Sequence, residues 1–414
     1  MIQSQTIFYI ILSIIVVEFV WDRFLLYLNT TKWSDKIPAE LEGIYDAEKY
    51  AKQQRYSKVN YKFGWITGTY SLMLILGMIL FNGFAFVDEW VAGYTNNYIV
   101  RVLLFFGVLG LGSTILNIPF SLYSTFVIEE RFEFNKTTPK IFFLDLVKSL
   151  LIGAVVGGAI LSLIVWFYQA TGQYFWLYAW GLVTVVMLFI TMFYTSVLLP
   201  LFNKQTPLEE GELKSTIENF CSKVSFKLDN VYVMDGSKRS TKANAFFSGL
   251  GARKRIVLYD TLINDLSIDE IVGVLAHEIG HYQKKHTLWG MIIGVFQTGI
   301  TLYLLSLFVG SVELSQALGV QEPVFHIGLI AFGILYSPIS GITGLATTLF
   351  SRKNEFEADR FAAEFHNGES LIAALKTISV NALSNLTPHS WYVFFHYSHP
   401  PLLERVRALK QVVK

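Results

Sequence analysis

The stretch Val274-Leu275-Ala276-His277-Glu278-Ile279-Gly280-His281-Tyr282-Gln283-Lys284-Lys285-His286 contains His-Glu-x-x-His. Residues four apart on a helix share a face, so His277 and His281 can converge on one Zn²⁺ with Glu278 beside them to take a proton from an activated water. The helix has a physical beginning. Ser267 and Glu270 form an S-x-x-E capping box ahead of apolar Ile271, Val274 and Leu275, which leaves the motif in mid-helix. A catalytic zinc site takes three protein ligands and keeps one position open, so a third His, Asp or Glu is required elsewhere. His286, five residues past His281, points off the ligand face of a regular helix and reads as a packing or solvated histidine.

Composition sets the surroundings. Apolar residues make up 53%, aromatics 15% and charged residues 16% of the 414, and mean hydropathy is +0.44. This is an integral membrane protein rather than a soluble enzyme. The net charge of +1 leaves no bulk electrostatic footprint, and no basic run points to a nucleic-acid partner. Cys221 stands alone, so no internal disulfide forms.

Seven stretches are long and apolar enough for a bilayer: 7–28, 63–87, 99–126, 150–168, 174–201, 288–309 and 326–350. No Lys or Arg precedes the first and no small-residue cleavage site follows it, so it reads as an uncleaved span rather than a signal peptide. Glu18 within it marks either a functional site, a polar cavity or a local pair. Pro119 predicts a kink late in the third span.

After residue 201 the chain changes character. Leu213, Ile217, Phe220 and Val224 keep helical spacing, and short β-like runs follow at 231–234, 245–248 and 256–259 before the His-Glu-x-x-His helix. The expected organisation is therefore 1–201 with five spans and polar connectors, 202–287 as a soluble α+β insert, 288–350 with two spans, and 351–414 as a polar helical tail. Basic residues gather at 29–62, 131–148, 204–255 and after Arg352, whereas 88–98, 169–173 and 313–323 contain none. The positive-inside rule then puts the N-terminus outside and the zinc helix and tail on the cytosolic side.

In the tail, Asn354-Glu355-Phe356-Glu357-Ala358-Asp359-Arg360 places Glu355 and Asp359 on one helix face. From spacing alone the pair is either a zinc ligand with a supporting acid or a solvated acidic face. Arg405 is likewise either an exposed helix charge or a brace for these acids. Asn244-Ala245-Phe246 is either an ordinary hairpin strand or an edge that a peptide pairs with.

Taken together the motifs resemble the type I CaaX prenyl protease family of integral-membrane zinc metalloproteases. The likeness extends over nearly the whole chain. Besides the two zinc elements it includes Glu129-Glu130-x-Phe132-x-Phe134-Asn135-Lys136, Pro200-Leu201-Phe202-Asn203-Lys204, Arg239-Ser240 with Asn244-Ala245, Arg255 through Leu262, and His399-Pro400-Pro401-Leu402-Leu403-Glu404-Arg405.

The resemblance implies a helical membrane protein of about seven transmembrane helices enclosing a chamber, with a zincin-like α+β domain at its cytosolic end. It implies one Zn²⁺ per chain on His277, His281 and Glu355, with Glu278 as the proton carrier and Asp359 as support. His399 would be the oxyanion donor, Arg405 the brace on Asp359 or Glu355, and Asn244, Ala245 and Phe246 the substrate-pairing element.

The expected reaction is removal of the C-terminal tripeptide from prenylated or similar hydrophobic CaaX substrates among membrane lipids. The expected location is the endoplasmic reticulum membrane in a eukaryote or the inner membrane in a bacterium. A quality-control protease of the HtpX type shares the zinc elements but is shorter, with fewer spans. A transporter or scaffold with a structural zinc requires a closed, four-ligand site.

Overall fold

A computed structural model describes residues 3–228, 230–248 and 255–412. The extreme ends of the expected first and last segments, 1–2 and 413–414, lie outside the described residues, as do 229 and 249–254 within the expected insert.

α1 (Ser4–Thr30) is followed by α2 (Ala47–Leu80), which starts well inside the polar connector. Asp46 starts α2 by accepting a hydrogen bond from the Lys49 N–H at 2.7 Å. The expected span 63–87 is cut: Asn82 adopts φ +53, turning the chain into a separate α3 (Gly83–Ala92). α4 (Tyr98–Tyr123) keeps Pro119 inside a continuous helix, and the irregularity falls instead in the π-helical turn Ser124–Glu129.

α5 (Pro139–Ile152) passes through a second π-helical turn, Gly153–Gly157, into α6 (Gly158–Thr171). Gly172, at φ +56, then folds α7 (Phe175–Phe193) back against α6. Such a positive φ costs glycine little.

Among the described residues, five helical stretches are long and apolar enough to cross a membrane: Ala47–Leu80, Tyr98–Glu129, Pro139–Leu201, His286–Phe308 and Phe325–Phe365. Their side chains are largely uncovered by protein, as with Met73 at 67% exposure and Val155 at 70%. Apolar surface on this scale needs a bilayer to cover it. This is a helical membrane protein.

The polar part is built on a sheet of order β1-β2-β4-β3, made of Gln205–Pro207, Asn230–Met234, Arg255–Tyr259 and Ala245–Ser248 respectively. β2 and β4 are parallel, and β3 lies antiparallel to β4 at the edge with Ala245 opposite Leu258. Ile217, Phe220 and Cys221 of α8 (Glu212–Lys223) share one core with Ile256 and Leu258 of the sheet and with Ile271, Leu275 and Ile279. After α9 (Asp260–Asp265), the Ser267 and Glu270 capping box opens α10 (Ile268–Gln283).

Lys285, at φ +61, ends that direction and restarts the chain as α11 (His286–Phe308). A short α12 (Val312–Ala317) leads to α13 (Phe325–Phe365), a single helix of 41 residues. At 1.5 Å per residue it is about 60 Å long, roughly twice the hydrocarbon thickness. The expected last span and the acidic stretch of the tail are therefore one rod, with residues 350 and 351 in its interior. α14 (Gly368–Asn381), α15 (Ser390–His396) and α16 (Leu402–Val412) complete the chain.

Within the apolar half of α13, Gly328 touches the end of α11: a Cβ there would sit 2.2 Å from the Val309 carbonyl oxygen. Gly333, five residues on, has nothing within 4 Å of such an atom. Gly328→Ala should therefore cost about 1–3 kcal/mol through overpacking, whereas Gly333→Ala should be neutral or mildly stabilising through helix propensity. Thermal unfolding of the two variants in detergent checks the contrast.

Candidate metal centre

α10 and α13 meet at Gly280, where a Cβ would lie 3.1 Å from Ala358 Cα and 3.1 Å from Phe361 Cβ. Backbone atoms cannot give way as a flexible side chain can, so the absence of a side chain sets the approach. His277 and His281 stand on this face of α10. Across from them α13 presents Glu355 and Asp359, both buried although they are carboxylates.

The His277 and His281 Nε2 atoms are 3.1 Å apart. Glu355 completes a triangle, with Oε2 at 3.4 Å from His277 Nε2 and Oε1 at 3.3 Å from His281 Nε2. Donors bonded tetrahedrally at 2.0–2.1 Å are separated by about 3.3 Å, so these edges suit zinc. Glu355 Oε2 is buried with no hydrogen-bond partner, which is costly for a carboxylate oxygen unless a cation meets it. Two imidazoles and a carboxylate also form a donor set suited to that metal. Among the described residues the group numbers three, which leaves a fourth position for water or substrate.

The surrounding hydrogen bonds orient both rings. His277 Nδ1 lies 2.8 Å from Asp359 Oδ1, so Nδ1–H donates and the Nε2 lone pair faces the triangle. Asp359 is held by Arg405, whose Nε donates to Oδ2 at 2.8 Å and Nη2 to Oδ1 at 2.6 Å. Arg405 Nη1 also lies 3.6 Å from Glu355 Oε2. Burial by itself lowers the basicity of His277, but the carboxylates of Asp359 and Glu355 beside it outweigh that and raise the imidazole to about 9.

Reading the sequence alone missed the second orienting chain. His281 Nδ1 is 3.0 Å from His286 Nδ1, and His286 Nε2 is 3.2 Å from Glu357 Oε2. If His286 Nε2–H donates to Glu357, its Nδ1 accepts from His281 and leaves His281 Nε2 free for a metal. A regular helix would have turned His286 away; the left-handed Lys285 turns it back. The one signal in the sequence was a third histidine close behind the motif.

Asn244, Ala245, His277, Glu278, Glu355, His399 and Arg405 line one cavity of about 140 Å³. Glu278 is half-buried there. His399 reaches in from the segment before α16, with Nε2 3.3 Å from Glu355 Oε1 and 64% of its side chain exposed. The Asn244 side-chain oxygen accepts from the Ala245 N–H at 2.9 Å, and its amide group lies toward the Tyr259 hydroxyl. Phe246 follows the strand alternation to the other side, edge-on to Tyr194 and Tyr259. Its backbone is paired with Val257 of β4, so the groups that face the open edge are those of Ala245.

The buried Arg405 to Asp359 pair predicts an asymmetry between arginine and a nearby surface cation. Removing one partner of a buried ion pair leaves the other uncompensated, at about 3–5 kcal/mol. Arg405→Met should lower stability by that amount, and Lys410→Met on exposed surface by less than about 0.5 kcal/mol. Unfolding both in chelator keeps metal loss out of the comparison.

Residues 27–204 match the family described as CAAX prenyl protease N-terminal, five membrane helices, and residues 207–413 match peptidase family M48. The CAAX prenyl protease 1 homolog of Oryza sativa is 36% identical over 386 residues, covering 90% of each chain. CAAX prenyl protease 1 of Saccharomyces cerevisiae is 34% identical, covering 96% of this chain and 94% of its own. The crystal structure of S. mikatae Ste24p superposes with a TM-score of 0.93 at 33% identity, covering 97% of this chain and 99% of that one. With this extent of match in sequence and fold, the chain belongs to the CAAX prenyl protease family of M48 membrane peptidases.

Proposed function

We propose that this protein is a zinc-dependent membrane endopeptidase that removes the C-terminal tripeptide from prenylated CaaX proteins, with one Zn²⁺ held by His277, His281 and Glu355. The observation that carries the reading is the convergence of these three donors beside the open edge of β3. Relatives named CAAX prenyl proteases match over nearly their full length and supply the substrate class. When bound, zinc supplies Lewis acidity toward the scissile carbonyl and the attacking water.

The chain's own residues do the rest. Glu278 takes the proton of the attacking water and delivers it to the departing amine. His399 donates a hydrogen bond to the oxyanion as charge develops there, and its exposed side chain leaves it free to adjust to substrate. Asp359 and Arg405 keep His277 in one tautomer and one orientation. The edge of the Asn244-Ala245-Phe246 element takes up the peptide as an added extended strand, with Ala245 as the residue whose backbone faces outward and the Asn244 side chain beside it.

We place seven helices in the membrane: α1, the five apolar stretches, and a second pass from the fold of Pro139–Leu201 at Gly172. They surround a chamber that admits the prenylated end, with membrane lipid outside. The distribution of basic residues supports a metal centre on the cytosolic side, and our reading assigns the endoplasmic reticulum membrane in a eukaryotic cell or the inner membrane in a bacterium.

Purified protein should release the last three residues of a farnesylated CaaX peptide, and a strong zinc chelator should stop it. Glu278→Gln should retain stoichiometric zinc and lose turnover, while His277→Ala loses both. His399→Ala should slow cleavage by about 10²-fold with zinc retained. Scattered internal cleavage of unfolded membrane proteins, with no action on the peptide, would replace this substrate assignment with a quality-control one.

Orientation is tested separately. Cys221 is buried and burial pushes its thiol up to about 11, so it resists maleimide from either side of the membrane. Cysteines introduced by Glu322→Cys and Glu209→Cys, both at exposed positions, do discriminate. In sealed right-side-out vesicles the first should label from outside and the second should not; the reverse pattern inverts the topology.

A further inference from the structure

Three residues before β3 the chain passes through Lys242, whose side chain reaches the end of a membrane helix. Its Nζ donates to Glu129 Oε2 at 2.9 Å and to the Tyr56 hydroxyl at 3.2 Å. The Tyr56 hydroxyl in turn donates to Glu129 Oε1 at 2.6 Å. Nζ also lies 4.3 Å from the centre of the Phe134 ring, within cation–π range. Glu129 is the last residue of the π-helical turn that ends α4, and Tyr56 stands on α2.

The backbone on both sides of Lys242 is pinned as well. Asn135 and Ser240 form an antiparallel bridge. The Thr241 N–H donates to the Phe134 carbonyl at 3.1 Å, and the Lys136 N–H to the Arg239 carbonyl at 3.0 Å. Arg239 itself is held in a two-point ion pair by Asp145, at 2.8 and 3.0 Å. On the other side, Thr261 Oγ1 donates to the Lys242 carbonyl at 3.2 Å, and the Tyr259 N–H to the Asn244 carbonyl at 3.1 Å. Phe132 and Phe134, flanking Tyr56, are buried, so the clamp has a rigid seat.

We infer that Lys242 is a positioning residue for the reaction: clamped by Glu129, Tyr56 and Phe134, it fixes the depth at which Asn244 and Ala245 meet the metal cavity. The edge strand is thereby referenced to α2 and α4 of the membrane domain rather than to its own sheet alone. A substrate entering from the membrane then finds the pairing edge and the helices that hold its apolar end in fixed relation. A strand that pairs with substrate in ground and transition states alike contributes mainly to KM. The clamp should act there, leaving zinc content and kcat little changed.

This inference rests on the proposed pairing of substrate with β3, and the test separates the two. Full-length wild type, Lys242→Met, Lys242→Arg and Glu129→Gln are compared on a farnesylated CaaX peptide, with zinc content and melting temperature measured alongside. Lys242→Met should raise KM about tenfold with kcat within about threefold and zinc retained. Lys242→Arg, which keeps both the ion pair and the ring contact, should recover most of the loss. Amide exchange at residues 244–248 should quicken in Lys242→Met and return in Lys242→Arg.

A KM within about twofold of wild type in Lys242→Met overturns the inference. So does a loss of activity that follows zinc loss or melting with KM unchanged. If Lys242→Met does not fold, Glu129→Gln, which removes the ion pair alone, carries the same expectation for KM. If wild type leaves the peptide uncut, the pairing proposal fails by itself, and unchanged exchange at 244–248 in Lys242→Met then overturns the positioning role independently.

Discussion

The close approach of α10 and α13 at Gly280 is the constraint on which the centre depends. Three donors from two helices meet within hydrogen-bonding distances only if the backbones nearly touch, and Ala358, with no exposed surface, answers Gly280 from the other side. A second small residue does the same for the next layer: a Cβ on Gly273 would lie 3.1 Å from the backbone nitrogen of Leu371 in α14. Burying Glu355 and Asp359 in this contact is expensive without compensation. Arg405 supplies one positive charge by pairing with Asp359, which leaves the Glu355 carboxylate as the anionic member of the donor triangle.

The same helix carries this arrangement into the membrane. α13 runs unbroken from Phe325 to Phe365, so the segment bearing Glu355 is a direct extension of an apolar stretch. Its far end is tied down by a second buried ionic group. Asp88 takes two hydrogen bonds from Arg101, at 2.8 and 2.6 Å, and lies 2.7 Å from His326 Nε2. Near that end Gly328 brings α13 against the carbonyl of Val309.

The sheet contributes an edge. An unpaired strand is a liability in most soluble proteins because any extended chain can add to it. β3 presents that edge beside the cavity lined by Glu278, Glu355 and His399, and it is this edge that we propose takes up the peptide. Its approach, residues 239–244, is bound to the connector after α4 at several points. The α+β part is thus anchored to the membrane part through the segment leading into the pairing edge as well as through α11 and α13.

Much of the centre was legible in the residues. His277 and His281 four apart on a capped helix define one face by helix periodicity alone, and Glu355 with Asp359 repeats the same spacing. These are local relations, and local relations survive in any fold that keeps the helices. Apolar composition likewise determined a membrane setting, since transfer free energy adds residue by residue.

Tertiary structure decided what no spacing encodes. The span expected at 63–87 broke at Asn82, and the tail expected after 350 joined the last span in one helix. His286, read as turned away, stands behind His281 because Lys285 takes a left-handed conformation. That Arg405 reaches Asp359 across 46 positions depends on α16 packing over α13. A single sequence reports energies of neighbours along the chain; contacts between distant segments are set by which surfaces exclude one another best, and that sum is taken over the whole molecule.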